Sequence, residues 1–281
     1  MAKPFIKWVG GKRQLLPELL KRVPDEFGHY YEPFVGGGAL FFALHGAGKI
    51  QHGATLSDMN VRLIRTYTAI RDSVEELITY MSDDFEYDEE MYYDTRWHFN
   101  EAVRTGRVGP PYSDVLIAAY FIYLNKCGFN GLYRENKEGE MNVPLGKFAK
   151  PPKVLDADNL RACSKALQGV ELKVQGFEFV EPVAQRGDLI YADPPYVPMS
   201  ATSSFCSYGA DGFNNTHQVR LRNCARRLKD RNVNVILSNS SAPAARELYA
   251  GPEFQVVEVD AKRALNCDGD KRGNVKELII C

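Results

Sequence analysis

The 281-residue chain is 44% hydrophobic and 25% charged, a balance that supplies a sizeable core and excludes a disordered or fibrous polymer. No stretch approaches the roughly 18 apolar residues of a membrane span, and the opening MAKPFIKWVGGK lacks a signal-peptide core, so the cytoplasm is the expected compartment. The formal charge of -1 argues against a uniformly basic nucleic-acid binder, yet that average hides runs of both signs.

Residues 15–23 read as an amphipathic helix stopped by Pro24. YYEPFVGGGALFFAL then reads as a short strand, a turn at Gly36, Gly37 and Gly38, and a helix from about Ala39. GATLSDMN is a second strand ending at Asp58. VRLIRTYTAIRDSVEELITYM and DVLIAAYFIYLN carry apolar residues at three- and four-residue steps, which predicts helices joined through RTGRVGPPYSD. After a loop-rich stretch to Pro152 the strand signals return: VELKVQGF, DLIYADPPY, NVNVILSNS, FQVVEVDA and VKELIIC, with THQVRLRNCARRLKD as a helix among them. Strands alternating with helices predict an α/β doubly wound sheet, split by a helical insert of roughly 90 residues.

Two charge runs stand out. Residues 75–101 hold ten acids against the single base Arg96, and residues 220–231 hold six bases against Asp230. Each reads first as a solvated helix face and second as a binding surface. The six cysteines form no CxxC pair and have no histidine at ligand spacing, so reduced thiols and no structural zinc are expected.

In a doubly wound sheet ligands bind at the carboxyl ends of the strands, where Glu32, Asp58 and Asp193 are predicted to fall. The glycine turn allows close approach of a ligand to backbone, but it lacks the G-x-G-x-x-G spacing of a dehydrogenase. Asp58, roughly 20 residues past that turn, suits a ribose diol, or the N-cap of the next helix, or both. Asp193-Pro194-Pro195-Tyr196 ends a buried strand with an acid, a rigid double proline and an aromatic ring. A carboxylate and the Pro194 carbonyl are two acceptors that can grip one exocyclic amine while the Tyr196 ring stacks on a planar base.

DPPY at 193–196, preceded by EPFVGGG at 32–38 and KWVGGK at 7–12, resembles the Dam family of DNA adenine N6-methyltransferases. The segments YLNKCGFNGLYRENKEGEMNVPLGKF, MSATSSFCSYGADGF and VILSNS are similar to family segments in the same order, so the resemblance covers nearly the whole chain. It implies a Rossmann-like S-adenosylmethionine-dependent methyltransferase sheet formed by residues 1–60 and 154–281. Residues 61–153 become an inserted, mostly helical target-recognition domain. The glycine motif, the insert and DPPY follow one another in the alpha arrangement of amino-methyltransferases.

The resemblance further implies that Trp8, Gly11, Lys12, Glu32, Pro33, Phe34, Gly36, Gly38, Asp58, Phe177 and Asp193 contact S-adenosylmethionine. Asp193, Pro194, Pro195 and Tyr196 act on an adenine flipped out of double-stranded DNA, with Phe205 or Tyr208 closing the other face of the base. Lys7, Phe129, Asn130, Leu132, Arg134 and Pro144 read the site, GATC by that likeness, with Phe129 as a wedge and Arg134 on a guanine. Phosphate contacts fall to Lys126, Lys137, Lys147 and Lys150 and to Lys262, Arg263, Lys271 and Arg272. The residues depart from better-known relatives at Cys127, Phe129 and Cys206. Cytosine N4 methylation, which usually has Ser in place of Asp193, and a catalytically silent DNA-binding protein are the alternative functions. A monomer without metal is expected.

Overall fold

The computed structural model describes residues 1–104, 113–197, 213–262 and 274–281. The described strands are β1 (Tyr30–Glu32), β2 (Ala54–Asp58), β3 (Glu171–Val174), β4 (Leu189–Ala192), β5 (Asn234–Ser240), β6 (Val256–Lys262) and β7 (Asn274–Ile280). The described helices are α1 (Leu16–Leu20), α2 (Ala39–Gly46), α3 (Val61–Asp72), α4 (Val74–Asp84), α5 (Glu89–Arg104), α6 (Asp114–Cys127), α7 (Ala157–Leu167), α8 (Val180–Val183), α9 (Asn215–Asp230) and α10 (Pro243–Leu248). The fold is α/β. The chain divides into two compact units, one of Met1–Gly11, Gly36–Gly46 and Asn60–Val174, the other of Lys12–Val35, Ala47–Met59 and Gln175–Cys281.

The first unit is built around α6. Val115, Ile117, Ala118, Ala119, Phe121, Ile122, Tyr123 and Leu124 are all buried, so the helix is apolar around most of its circumference and packs against α3, α4 and α5. Ser113 caps it by accepting from the Leu116 N–H, and Asn60 caps α3 by accepting from the Leu63 N–H. The single helical pattern read over residues 61–81 is broken at Ser73, whose N–H closes α3 on the Ala69 carbonyl while its own carbonyl starts α4. Glu75, Glu76, Asp83, Glu86, Asp88, Glu89, Glu90 and Asp94 are exposed, so the acidic run is a solvated face.

In the second unit the sheet order is β2-β1-β4-β5-β7-β6. Strands β2, β1, β4 and β5 are mutually parallel, while β7 pairs antiparallel with both β5 and β6. Leu189, Ile190, Tyr191 and Ala192 are at most 2% exposed, which marks β4 as a central strand covered on both faces. The helix read at residues 15–23 shortens to α1, where Pro17 opens a five-residue helix and the Lys21 N–H closes it before Pro24 is reached. Chain order reverses between β1 and β4, because β1 has β2 on one side and β4 on the other. That reversal is the point at which open α/β sheets leave a crevice at the carboxyl strand ends.

Candidate active site

Asp193 follows directly on β4, at this switch point. Its Oδ2 lies 2.8 Å from Nζ of Lys12, in a pair whose side chains are 19% and 5% exposed. Its Oδ1 is buried with no hydrogen-bond partner among the described residues. Burial is the main influence on this carboxyl and outweighs the Lys12 ammonium; with the negative charge of Glu277 added, its pKa is pushed up to about 6. A buried acceptor without a donor is rare in a folded protein and marks a place for a ligand donor.

The residues after Asp193 are held by a chain of buried polar groups. Gln218 on α9 donates through Nε2 to the Pro195 carbonyl at 2.7 Å and accepts from Nδ2 of Asn239 at 3.1 Å. Asn239 Oδ1 in turn accepts from the Val197 N–H, and the Ser240 hydroxyl donates to the Val197 carbonyl at 2.6 Å. Gln218, Asn239 and Ser240 are 3%, 0% and 5% exposed, so the proline corner is braced from β5 and α9 rather than left to solvent. The Tyr196 hydroxyl donates to Glu277 Oε2 at 2.6 Å, and Lys12 Nζ stands 4.6 Å from the centroid of the Tyr196 ring. Lys12, far away in sequence, thus joins Asp193 and Tyr196 in one cluster.

Near the ends of β1 and β2 the second unit assembles the other predicted groups. Glu32 is buried and accepts from the Tyr30 hydroxyl at 2.8 Å. Pro33 is buried, and Phe34 stacks on Phe177 at 5.8 Å, with Phe213 edge-on to both. The Val35 N–H bonds the Ser57 carbonyl and ties the turn to β2, which Asp58 terminates. Asn60, not Asp58, supplies the cap that opens α3.

In the first unit Trp8 and the glycine turn meet. A Cβ on Gly36 would lie 2.5 Å from Trp8 Cδ1, and the Gly36 φ of +46° already favours glycine. The Gly11 N–H bonds the Trp8 carbonyl, and the Tyr67 hydroxyl donates to the Gly36 carbonyl under Gly38. The Trp8 ring is stacked on Tyr133 at 5.8 Å.

The predicted reading residues share a hairpin in the same unit. Gly128 bridges Leu145, Glu135 bridges Met141, and α5 supports the hairpin: Asn100 bonds both backbone groups of Met141, and Arg96 donates to the Val143 carbonyl. Phe129 is 44% exposed, and its N–H is held by the Pro144 carbonyl, so it is not a core aromatic. Asn130 has a φ of 56°, an uncommon left-handed conformation for a residue with a side chain. Leu132 is half-buried and Pro144 exposed, while exposed Arg134 donates through Nε to Asn142 Oδ1 at 2.7 Å. Lys7 joins them through Asn125, 2% exposed, which bonds both the N–H and the carbonyl of Lys7 and also the Gly131 carbonyl. Lys137, Lys147 and Lys150 are exposed and Lys126 half-buried.

The basic run on α9 is largely engaged within the protein. Arg220 pairs with Glu178 at 2.6 Å, Arg227 makes a two-pronged pair with Glu181, and Arg231 donates to the carbonyls of Glu181 and Ala184. Cys127, Cys163 and Cys224 are buried thiols that burial pushes up to about 12. Gln218, Asn239, Phe213 and Glu277 are the site residues that sequence reading missed. Asn239 carried a signal in its place at the end of a predicted strand, and Phe213 in closing the family-like segment MSATSSFCSYGADGF. The side chains of Phe205, Cys206, Tyr208, Lys262, Arg263, Lys271 and Arg272 lie outside the described residues.

A mixed sheet with a parallel core and an acid-proline-proline-aromatic corner at its switch point is the framework of an amino-methyltransferase. The family model of the D12 class N6 adenine-specific DNA methyltransferases matches residues 8–265, and the chain belongs to that family. It is an adenine-specific DNA methyltransferase. The type II methyltransferase M1.LlaDCHI of Lactococcus lactis subsp. cremoris is 40% identical over 99% of this chain and 94% of its own. M.MjaIII of Methanocaldococcus jannaschii is 39% identical over 99% and 98%, and the DNA adenine methylase of Escherichia coli K12 is 32% identical over 99% and 94%. No helix among the described residues is long and apolar enough to cross a membrane, and no group of three or more His, Cys, Asp or Glu side chains among them is placed to hold a metal.

Proposed function

We propose that the enzyme transfers the methyl group of S-adenosylmethionine to N6 of an adenine flipped out of duplex DNA, in the sequence GATC. The observation that carries this reading is Asp193, a buried carboxylate with one oxygen on Lys12 and the other unpartnered, one proline pair away from Tyr196. The unpartnered Oδ1 accepts a hydrogen bond from the adenine amine, the Pro194 carbonyl takes the second N–H, and the amine lone pair is turned out of the ring toward the methyl. Tyr196 restacks the extruded base, offsetting the few kcal/mol lost on leaving the duplex.

When bound, S-adenosylmethionine would supply an electrophilic methyl on a sulfonium; direct transfer to N6 would leave S-adenosylhomocysteine, with the proton displaced from N6 passing to solvent. The described cysteines, with their burial-raised thiols, are not suited to act as covalent nucleophiles. We assign the aromatic pair Phe34 and Phe177, together with Pro33 and Asp58, to the adenosine part of the cofactor. Glu32, Lys12, Trp8 and the turn of Gly11, Gly36 and Gly38 are assigned to its methionine part. The glycine at position 36 lets the Trp8 ring lie directly against the turn backbone, which keeps Trp8 beside the residues of that assignment.

Residues 61–153 serve as the target-recognition domain and residues 1–60 with 154–281 as the catalytic one. Phe129 enters the base stack, Asn130 faces the orphaned partner base, and Lys7 and Arg134 read guanines. Leu132 and Pro144 meet the thymine side. The exposure of Phe129 and Arg134 on one hairpin, with Lys7 tied to it by Asn125, supports this reading.

Plasmid DNA incubated with the enzyme and S-adenosylmethionine is expected to gain N6-methyladenine by mass spectrometry, confined to GATC by single-molecule sequencing. N4-methylcytosine alone would refute the assignment of the base, and modification outside GATC the assignment of the site. Asp193→Ala is expected to abolish transfer while DNA affinity stays within a few-fold.

A further inference from the structure

We propose that Glu277 is a positioning residue for methyl transfer, acting through the Tyr196 hydroxyl to hold the aromatic ring at the reaction corner. The inference rests on the reading of Tyr196 as the stacking face for the target base.

Glu277 lies on β7 opposite Ser240 of β5 and Val259 of β6, so its backbone is fixed by a ladder on each side. It is 81 residues from Tyr196 in sequence, yet its Oε2 accepts the Tyr196 hydroxyl at 2.6 Å. A tyrosine ring turns about two side-chain torsions, and a bond at its far end restrains both. An ionised acceptor makes that bond about twice as strong as a neutral one.

The rest of the corner is already braced. Gln218 holds the carbonyl before Tyr196, Asn239 and Ser240 hold both backbone groups of Val197 after it, and Lys12 approaches the ring at 4.6 Å from its centroid. Glu277 supplies the short bond at the hydroxyl, which the backbone contacts do not, and the same hydroxyl also acts on the Asp193 carboxyl. The next residues of β7, Leu278, Ile279 and Ile280, are fully buried and apolar, so the strand has its packing anchor without the carboxylate. Held in this way, the ring stands ready before a base arrives and does not have to be ordered during the reaction.

The test compares Glu277→Ala, Glu277→Gln, Tyr196→Phe and the double variant Glu277→Ala/Tyr196→Phe in single-turnover methylation of a duplex oligonucleotide. Tyr196→Ala serves as the control and thermal unfolding reports the fold. Glu277→Ala and Tyr196→Phe should each lower the single-turnover rate about tenfold, as expected for one lost charge-assisted hydrogen bond, with KM for DNA little changed. The double variant should be no slower than either single one, because both remove the same bond. Glu277→Gln, whose amide oxygen can accept that bond at about half the strength, should recover the rate in part, to about threefold below the unmodified enzyme.

A Glu277→Ala rate within twofold of the unmodified enzyme, an additive double variant, or no recovery in folded Glu277→Gln overturns the proposal. Tyr196→Phe keeps the shape of the ring, so it decides the matter even if Glu277→Ala does not fold. Near-normal turnover by Tyr196→Ala would remove the stacking reading and the inference with it. An inactive Tyr196→Ala alongside full-rate Glu277→Ala and Tyr196→Phe would remove the inference alone.

Discussion

Replacing Lys12 with methionine keeps the bulk of the side chain and deletes the one cation whose Nζ lies 2.8 Å from Asp193 Oδ2. At that distance two unit charges attract by about 6 kcal/mol at an effective dielectric of 20. Breaking a buried pair typically costs about 3 to 5 kcal/mol, because the remaining charge is left uncompensated. Even the lower figure is worth about two pKa units. With Lys12 present the Asp193 carboxyl is already pushed up to about 6, so losing the ammonium raises it further, by about two units on that figure. Asp193 is the stronger acceptor, and carries the charge that polarises the amine, only when ionised, so activity should fall as pH drops through its pKa. In the parent enzyme the acid limb of kcat/KM, which reports the free enzyme, should therefore lie near 6. In Lys12→Met it should move up by about two units, leaving the rate near pH 7 about tenfold lower and partly restored near pH 9. Values of kcat/KM on a duplex substrate, from pH 5 to 9.5, measure this. An acid limb that stays in place while the rate drops equally at every pH would show that Lys12 does not set the charge of Asp193.

Three further outcomes follow from the geometry. Gly36→Ala forces a side chain onto a φ of +46° and into Trp8, and should lower thermal stability by about 1 to 3 kcal/mol while weakening cofactor binding in calorimetry; an unchanged affinity would separate Trp8 from the cofactor. Asn125→Leu strands the N–H and carbonyl of Lys7 and the carbonyl of Gly131, so chemical denaturation should show a loss of about 3 kcal/mol or more, with relaxed discrimination at the first base of the site. Arg134→Ala should weaken the cognate duplex by about 1 to 3 kcal/mol more than random DNA in a binding titration, and equal losses on both would make Arg134 a phosphate contact.

What could be read from the chain alone was local. β2, β4 and β5 stand where their apolar runs ended in turn residues, because a strand covered on both faces shows its burial in a few consecutive residues, while the edge strand β6 showed instead as alternation. The acid at the end of β4 was legible for the same reason: a carboxylate and two prolines do not belong inside a core strand. The helical pattern over residues 61–81 was legible too, but its break at Ser73 was not, since periodicity is blind to one residue leaving the helical region.

The partners of the site residues depended on the tertiary fold. That Asp193 keeps one oxygen on Lys12 and the other unpartnered, that Gln218 and Asn239 brace the proline corner, and that Glu277 holds the Tyr196 hydroxyl are contacts across tens to nearly two hundred residues. The basic run of residues 220–231 shows the same limit: Arg220 and Arg227 pair with Glu178 and Glu181 and Arg231 donates to two carbonyls, so half of a candidate DNA surface is engaged by the protein's own surface. Residue type states what a group can donate, accept or neutralise. Only strand order and burial state what stands opposite it, and so whether a carboxylate is an ordinary surface charge or a reactive acceptor.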